Sequence, residues 1–431
     1  MTDLHDINQP AGTDWRSKDI QRRVRRRHMA ERRLKLIGLG AISLALSLLG
    51  LLVVSLTYMG HKAFVQTVVE VPVYIDPSLV KPDNVFKGNY RSIVKSAFLG
   101  LLPDIGPKRD RRTALKMLSP GAPWIVRDRV LADPSLIGRT VTLSLPLADP
   151  MDQLHKAEIS RAGPEGQRRV SDKQIAWYDH LVGAGVVSAP FNIGLFVNAD
   201  SRFPELAGLS GAISGSFYAL LVCFLISFPA GIAAAVYLEE FARRNRWTDI
   251  IEVNINNLAA VPSVVFGLLG LAVFLNFFGL PRSAPLVGGM TLALMTLPTV
   301  IIATRAALTA VPPSIREAAL GVGASRHQVV MHHVLPLAMP GILTGTIIGL
   351  ARALGETAPL LLIGMNAFIT SAAGGMMDPA TALPTQIFIW ADSPERGFLA
   401  RTSAAILVLL GFLILMNSLA IYLRGRFEQR W

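Results

Sequence analysis

Six stretches of this chain are too apolar and too long to be read as surface segments of a soluble domain: residues 34–59, 208–238, 259–280, 286–308, 337–365 and 402–423. A helix needs about 20 mostly apolar residues to cross the hydrocarbon core. Helices are one of only two ways to satisfy every backbone polar group there. The expected fold is therefore an all-α polytopic membrane protein with six transmembrane helices. Composition agrees, since 51% of the 431 residues are apolar and only 17% are charged, against about 25% charged in soluble domains.

The net charge of +12 has two readings, nucleic acid or membrane topology. The basic clusters decide. Arg22, Arg23, Arg25, Arg26, Arg27, Arg32 and Arg33 precede the first stretch. Arg243, Arg244 and Arg246 follow the second, Arg316 and Arg326 separate the fourth from the fifth, and Arg424, Arg426 and Arg430 follow the sixth. All four places share one side of a six-helix topology, which the positive-inside rule makes the cytoplasm. Both termini then lie in the cytoplasm, and no nucleic-acid partner is needed. Residues 1–33 read as a basic, disordered cytoplasmic tail, and 34–59 as an uncleaved first membrane helix.

Residues 60–207 contain no spanning stretch and are too many for a simple loop. Strand-like pieces at 68–75 and 140–145 alternate with helical pieces near 90–101 and 171–182. This predicts an α+β extracytoplasmic domain between helices 1 and 2, ahead of a membrane core at 208–431. His155 and His180 stand alone there, which is a structural or solvated pattern. The single Cys223 excludes an intramolecular disulfide and a multi-cysteine metal site. Trp247, Ile250, Ile251, Ile255 and Leu258 have helical spacing and predict an amphipathic helix in the membrane interface. Residues 387–390 are expected to dip into the membrane edge, and Arg305 to snorkel from the end of the fourth span.

Residues 316–340 form a polar stretch between two apolar ones. Pro312 and Pro313 stop the preceding segment. Ser314 and Glu317 have capping-box spacing, Gly321 and Gly323 can end a helix, and Ser325 and Gln328 repeat the spacing. Two short capped helices bent at a glycine are expected, a shape suited to docking on a partner. In the next span Gly341, Gly345 and Gly349 recur every four residues, the spacing of close helix packing. Arg352 and Glu356 continue that face. An ionisable pair inside a span is costly, and its i,i+4 spacing permits either a self-neutralised strut or an anion path. No P-loop, H-E-x-x-H or G-x-S-x-G occurs, which argues against an enzyme and against ATP binding by this chain.

Glu317-Ala318-Ala319, Gly323 and Leu335-Pro336 resemble the EAA loop of ABC importer permeases. His333 occupies that pattern's aliphatic position, with Val334 beside it. The run Ala351-Arg352-Ala353-Leu354-Gly355-Glu356-Thr357-Ala358-Pro359-Leu360 is similar to phosphate-importer permeases of the PstA type, in a long form with an external insertion. The resemblance spans 208 to the C-terminus. It implies a MetI-like permease core that binds no cofactor of its own, with ATP used by a partner. The partners implied are a second homologous permease, two ATPase subunits gripping the EAA loop, and a periplasmic phosphate-binding protein. The setting implied is the bacterial inner membrane. A permease for molybdate or sulfate, a membrane sensor or scaffold, and a membrane enzyme are the competing readings.

Overall fold

The computed structural model describes residues 18–103 and 105–427. The proposed tail lies partly outside them, at 1–17, as does Arg430. The rest of that tail is helical, because the first helix runs Lys18–Gly60. This corrects the expectation of disorder up to residue 33. Arg, Lys, Glu and Ala favour helix even where they are too polar for lipid. Residues up to Leu56 form a unit of their own, and Thr57 onward forms a second.

The second unit opens with a 3₁₀ turn, His61–Phe64, that leads into the α+β domain. β1 (Val68–Tyr74), β2 (Thr140–Pro146) and β3 (Val187–Ser188) form an antiparallel sheet in the order β2-β1-β3. β1 alternates as a half-buried strand should, with Val69, Val71 and Val73 inward. It tolerates Pro72 although it is central, because β3 pairs only with Val68 and Val69. The far half of that edge needs no N–H from Pro72. The helices Tyr90–Leu99, Ala122–Ala132 and Asp172–Gly183 contribute to one core that includes Phe98, Val126, Leu145 and Leu181. The last of these helices starts with a capping box between Ser171 and Gln174.

Helices Ser210–Val236 and Pro285–Thr309 pack against each other, with Gly231 against Val300 and Gly289 against Ala219 and Val222. Among the described residues, five helices are long and apolar enough to cross a membrane, and six if one bent pair counts as a single span. That pair is Arg246–Ala259 and Ser263–Phe277, meeting at 102°. Pro262, extended at φ −57°, ψ 137°, makes the corner. The stretch 259–280 is thus shorter as a helix than its apolarity implied. No residue of Arg246–Ala259 is buried, as an amphipathic helix awaiting another surface would be.

The fifth span also differs. Its helix, Leu335–Gly355, is not separate from the preceding helix Arg326–Val329. A π-helical turn, Val330–Val334, joins them without a break. At its other end the helix stops at Gly355 and a short helix, Ala358–Leu362, follows. The last helix, Gly397–Phe427, begins before the expected 402. The segment expected to dip into the membrane edge forms the helix Leu383–Ala391. Its Trp390 is buried against Phe398, ring centroids 5.7 Å apart, and donates to the Asp200 carboxylate at 3.0 Å. An indole with both a ring partner and an acceptor has no need of the membrane edge.

The α+β domain and residues 313–334 lie at opposite ends of Ser210–Val236. Leu209 and Ala212 share a core with Ala63, Leu195, Phe398 and Ala404. Ala235 shares another with Leu308, Val311, Ala319 and Val334.

Candidate functional site: a stapled loop and a broken span

The polar loop begins with helix Pro313–Gly321. No side chain caps it, so the expected Ser314–Glu317 box does not form. Pro313, which lacks an N–H and has a preset φ, starts the helix one residue early and leaves Ser314 inside the first turn. Val322 closes the helix and Gly323 turns the chain at φ +87°, a conformation costly for any residue with a Cβ. The second box does form: Gln328 Oε1 accepts from the Ser325 N–H at 2.9 Å, and Ser325 Oγ from the Gln328 N–H at 3.4 Å.

Side chains of the loop divide between two faces. Ala319, Val329, Val330 and Val334 are buried against the second and fourth spans. Glu317, Ala318, Leu320, Gly323 and Pro336 are exposed, and Leu335 is half-buried. The departure at His333 has a structural counterpart. The wider π-turn carries an extra residue, which leaves His333 exposed and brings Val334 to full burial.

Ion pairs staple this loop to its neighbours, and sequence reasoning missed them. Arg316 Nη2 donates to Glu240 at 2.7 Å, and the same guanidinium donates to the carbonyls of Val311 and Leu308 at 2.7 and 2.9 Å. Arg305 does not snorkel. It donates to Glu252 at 2.8 Å and to Glu239 at 3.3 Å. Glu239 and Glu240 sit on a π-turn, Tyr237–Phe241, at the end of the second span. The available signal was two adjacent carboxylates directly after an apolar run.

The helix from Arg326 to Gly355 carries the other candidates. Gly341 and Gly345 face the Ala307 and Ala303 side chains, and Gly349 faces Thr296 and Thr299. The glycine stripe is the contact that brings the fifth span against the fourth. Arg352 and Glu356 do meet, Nε to Oε1 at 3.6 Å. They meet across the helix end, since Glu356 has left the helix at ψ 120°. Beyond the break Gly267 presses against Pro359 and Leu362, and Ser283 Oγ donates to the Gly364 carbonyl at 2.5 Å. The Arg352 side chain is 56% exposed within this single chain, against 21% for Glu356. Among the described residues no group of His, Cys, Asp and Glu could hold a metal.

With this geometry in view, two family models match. Residues 227–431 fit the binding-protein-dependent transport system inner membrane component, and residues 21–165 fit a domain of unknown function, DUF3333. The phosphate transport system permease protein PstA of Haemophilus influenzae is 34% identical over 229 residues, covering 52% of this chain and 79% of that protein. The probable ABC transporter permease protein YqgI of Bacillus subtilis is 31% identical over 252 residues, 54% of this chain and 84% of that protein. Among solved structures, the inward-facing MetNI methionine ABC transporter aligns over 52% of this chain and 95% of its own, with TM-score 0.39 and 16% identity. The class is thus a binding-protein-dependent inner-membrane transport component, multi-pass in the membrane. Within that class, the chain belongs to the PstA family of phosphate transport system permeases.

Proposed function

We propose that this chain is the permease subunit of an ATP-driven phosphate importer, and that residues 313–336 are where a partner ATPase moves it. The observation that carries the second part is mechanical continuity. Helix Pro313–Gly321 is fixed to the second span by Arg316, and the next helix runs unbroken from Arg326 to Gly355. That is about 40 Å of helix at 1.5 Å per residue, from the exposed loop to Arg352. A push on the exposed face of Glu317, Ala318 and Leu320 would reach the broken end of the fifth span without crossing a flexible joint. ATP hydrolysis belongs to a separate subunit, and this chain carries no P-loop sequence. A second permease, two ATPase copies and a periplasmic phosphate-binding protein complete the assembly in this reading. The loop lies in the cytoplasm, with both termini on the same side. The 60–207 domain, at the opposite end of the helices, faces the periplasm. The family does not favour molybdate or sulfate, nor a sensor.

Phosphate uptake by cells carrying this chain with its partners tests the coupling role. Glu317→Lys is expected to lose most of the uptake while the chain remains in the membrane at normal level. Normal uptake by that variant would remove the role.

Arg352 lines the anion path and Glu356 holds it in place. What supports this is exposure: an arginine inside a span that is more than half uncovered needs water, an anion or a partner chain opposite it. Arg352→Gln is expected to abolish uptake with assembly intact. Full uptake by a stably assembled Arg352→Gln complex would make the pair a strut only.

A further inference from the structure

Residues 190–197, Pro-Phe-Asn-Ile-Gly-Leu-Phe-Val, are the last part of the α+β domain before the second span, and none of the roles above uses them. They are unusual for a domain surface. Phe191, Ile193 and Val197 are 60, 66 and 68% exposed, and Phe196 is partly so. Phe64, Phe191 and Phe196 stack on one another with ring centroids 6.1 to 6.3 Å apart. A contiguous apolar patch of this kind on a polar domain marks an interaction site.

Its position says what it meets. Phe64 closes the apolar helix of the first span. Leu195, from the middle of the segment, is buried in the same core as Leu209 and Ala212 of the second span and Phe398 and Ala404 of the last. A Cβ added to Gly60 would lie 3.0 Å from the Ala404 backbone, so two span ends touch here. Three membrane crossings therefore begin or end around one side chain of this segment. The exposed residues on either side of Leu195 stand at the level where the spans leave the hydrocarbon.

The backbone is prepared for that setting. Asn192 N–H donates to the Phe64 carbonyl and Gln66 N–H to the Pro190 carbonyl. The N–H groups of Leu195, Phe196, Val197 and Asn198 are used within the segment, and Asn192 Nδ2 donates to Ala63. Those polar groups are already paired, so lowering the segment among lipid chains would not strip them of water. The side chains are apolar while Asn198 and Asp200 follow directly, the amphipathic pattern of an element lying in the interface.

We infer that residues 191–197 are a membrane-interface anchor, with Phe191, Ile193 and Val197 inserted among the lipids of the leaflet nearest the α+β domain. The domain is then held flat against the bilayer at a fixed height above the permease core. The partner is the lipid surface itself and not a protein groove.

Spin labels on the full chain, assembled with its partners in liposomes, test this. The native Cys223 is buried, so Ile193→Cys and Val197→Cys give two labelled sites, with Lys81→Cys as a site on the exposed domain surface. For both segment sites, relaxation by oxygen should exceed relaxation by a water-soluble nickel chelate, and the order should reverse at Lys81. Chelate exceeding oxygen at 193 and 197 would place the segment in water and overturn the anchor. A strongly immobilised label protected from both reagents would place a protein there, such as the second permease, and would overturn it equally.

Discussion

The two ends of the second-span helix use the same residue types to opposite effect. At the loop end, Arg305 and Arg316 pair with Glu239, Glu240 and Glu252, and the arginine side chains keep 25 and 23% of their surface. At the domain end, Arg401 from the first turns of the last helix is 6% exposed, with Glu205 at 5% and Asp149 at 8%. Arg401 donates to the Ala207 carbonyl, Ser119 to Glu205 at 2.8 Å, and Gln153 to Asp149 at 2.8 Å. Between these groups lies a cavity of about 20 Å³ lined also by Lys62, Asp152 and Lys156. Charges at a partly wet surface can exchange partners cheaply, whereas charges in a dry seam cannot. The loop end is built to be moved, and the domain end to stay where it is.

The sharpest way to break this comparison is to remove the arginine from each end in turn. Arg401→Met leaves buried carboxylates short of a cation, which costs about 3–5 kcal/mol. The thermal midpoint of the purified chain should fall strongly, and the 60–207 region should become sensitive to protease. Arg316→Met removes a partly exposed pair worth about 1 kcal/mol. Its midpoint should barely move while phosphate uptake drops. Equal destabilisation by the two variants would mean that the ends do not differ in the way their burial implies.

The two ends also differed in how far the residues alone revealed them. Apolar run length located the crossings, because lipid leaves the backbone few options. Alternation in β1 and the capping spacing at Ser171 and Ser325 were legible because they are local. Ser314 and Glu317 show the limit of such reading: the spacing is right, but a proline one residue earlier relocates the helix start. The π-turns at Tyr237–Phe241 and Val330–Val334 leave no comparable mark in sequence, so neither the Glu239 and Glu240 staples nor the continuous fifth helix was foreseen. Arg352 and Glu356 were found by spacing, yet the break between them was not. Arg401, Glu205 and Asp149 are hundreds of residues apart or nearly so, and only the folded chain brings them into one seam. Trp390 was read by its apolarity alone, which cannot tell a lipid neighbour from Phe398 and Asp200.

The smallest expected effect is a pH dependence confined to the domain end. Burial, the largest influence on each, raises the Asp149 and Glu205 carboxyls above their ordinary range. The folded chain therefore keeps these protons to a higher pH than the unfolded chain does. Across the window between the ordinary and the raised values, the folded state binds more protons, so stability falls as pH rises through it. Below that window both states are protonated and the contribution is complete; above it the loss is complete. Asp76 and Asp133 are shifted the other way by hydrogen bonds from Ser78 and Ser135. Their stabilisation is lost only on acidification through values below the ordinary range, a separate window. The thermal midpoint of the detergent-solubilised chain should therefore rise from neutral pH into the mildly acidic range before falling again. Asp149→Asn together with Glu205→Gln should flatten the rise and leave the acid fall in place. A rise that survives in the double variant would assign it to other groups, and with it the claim that this seam is dry.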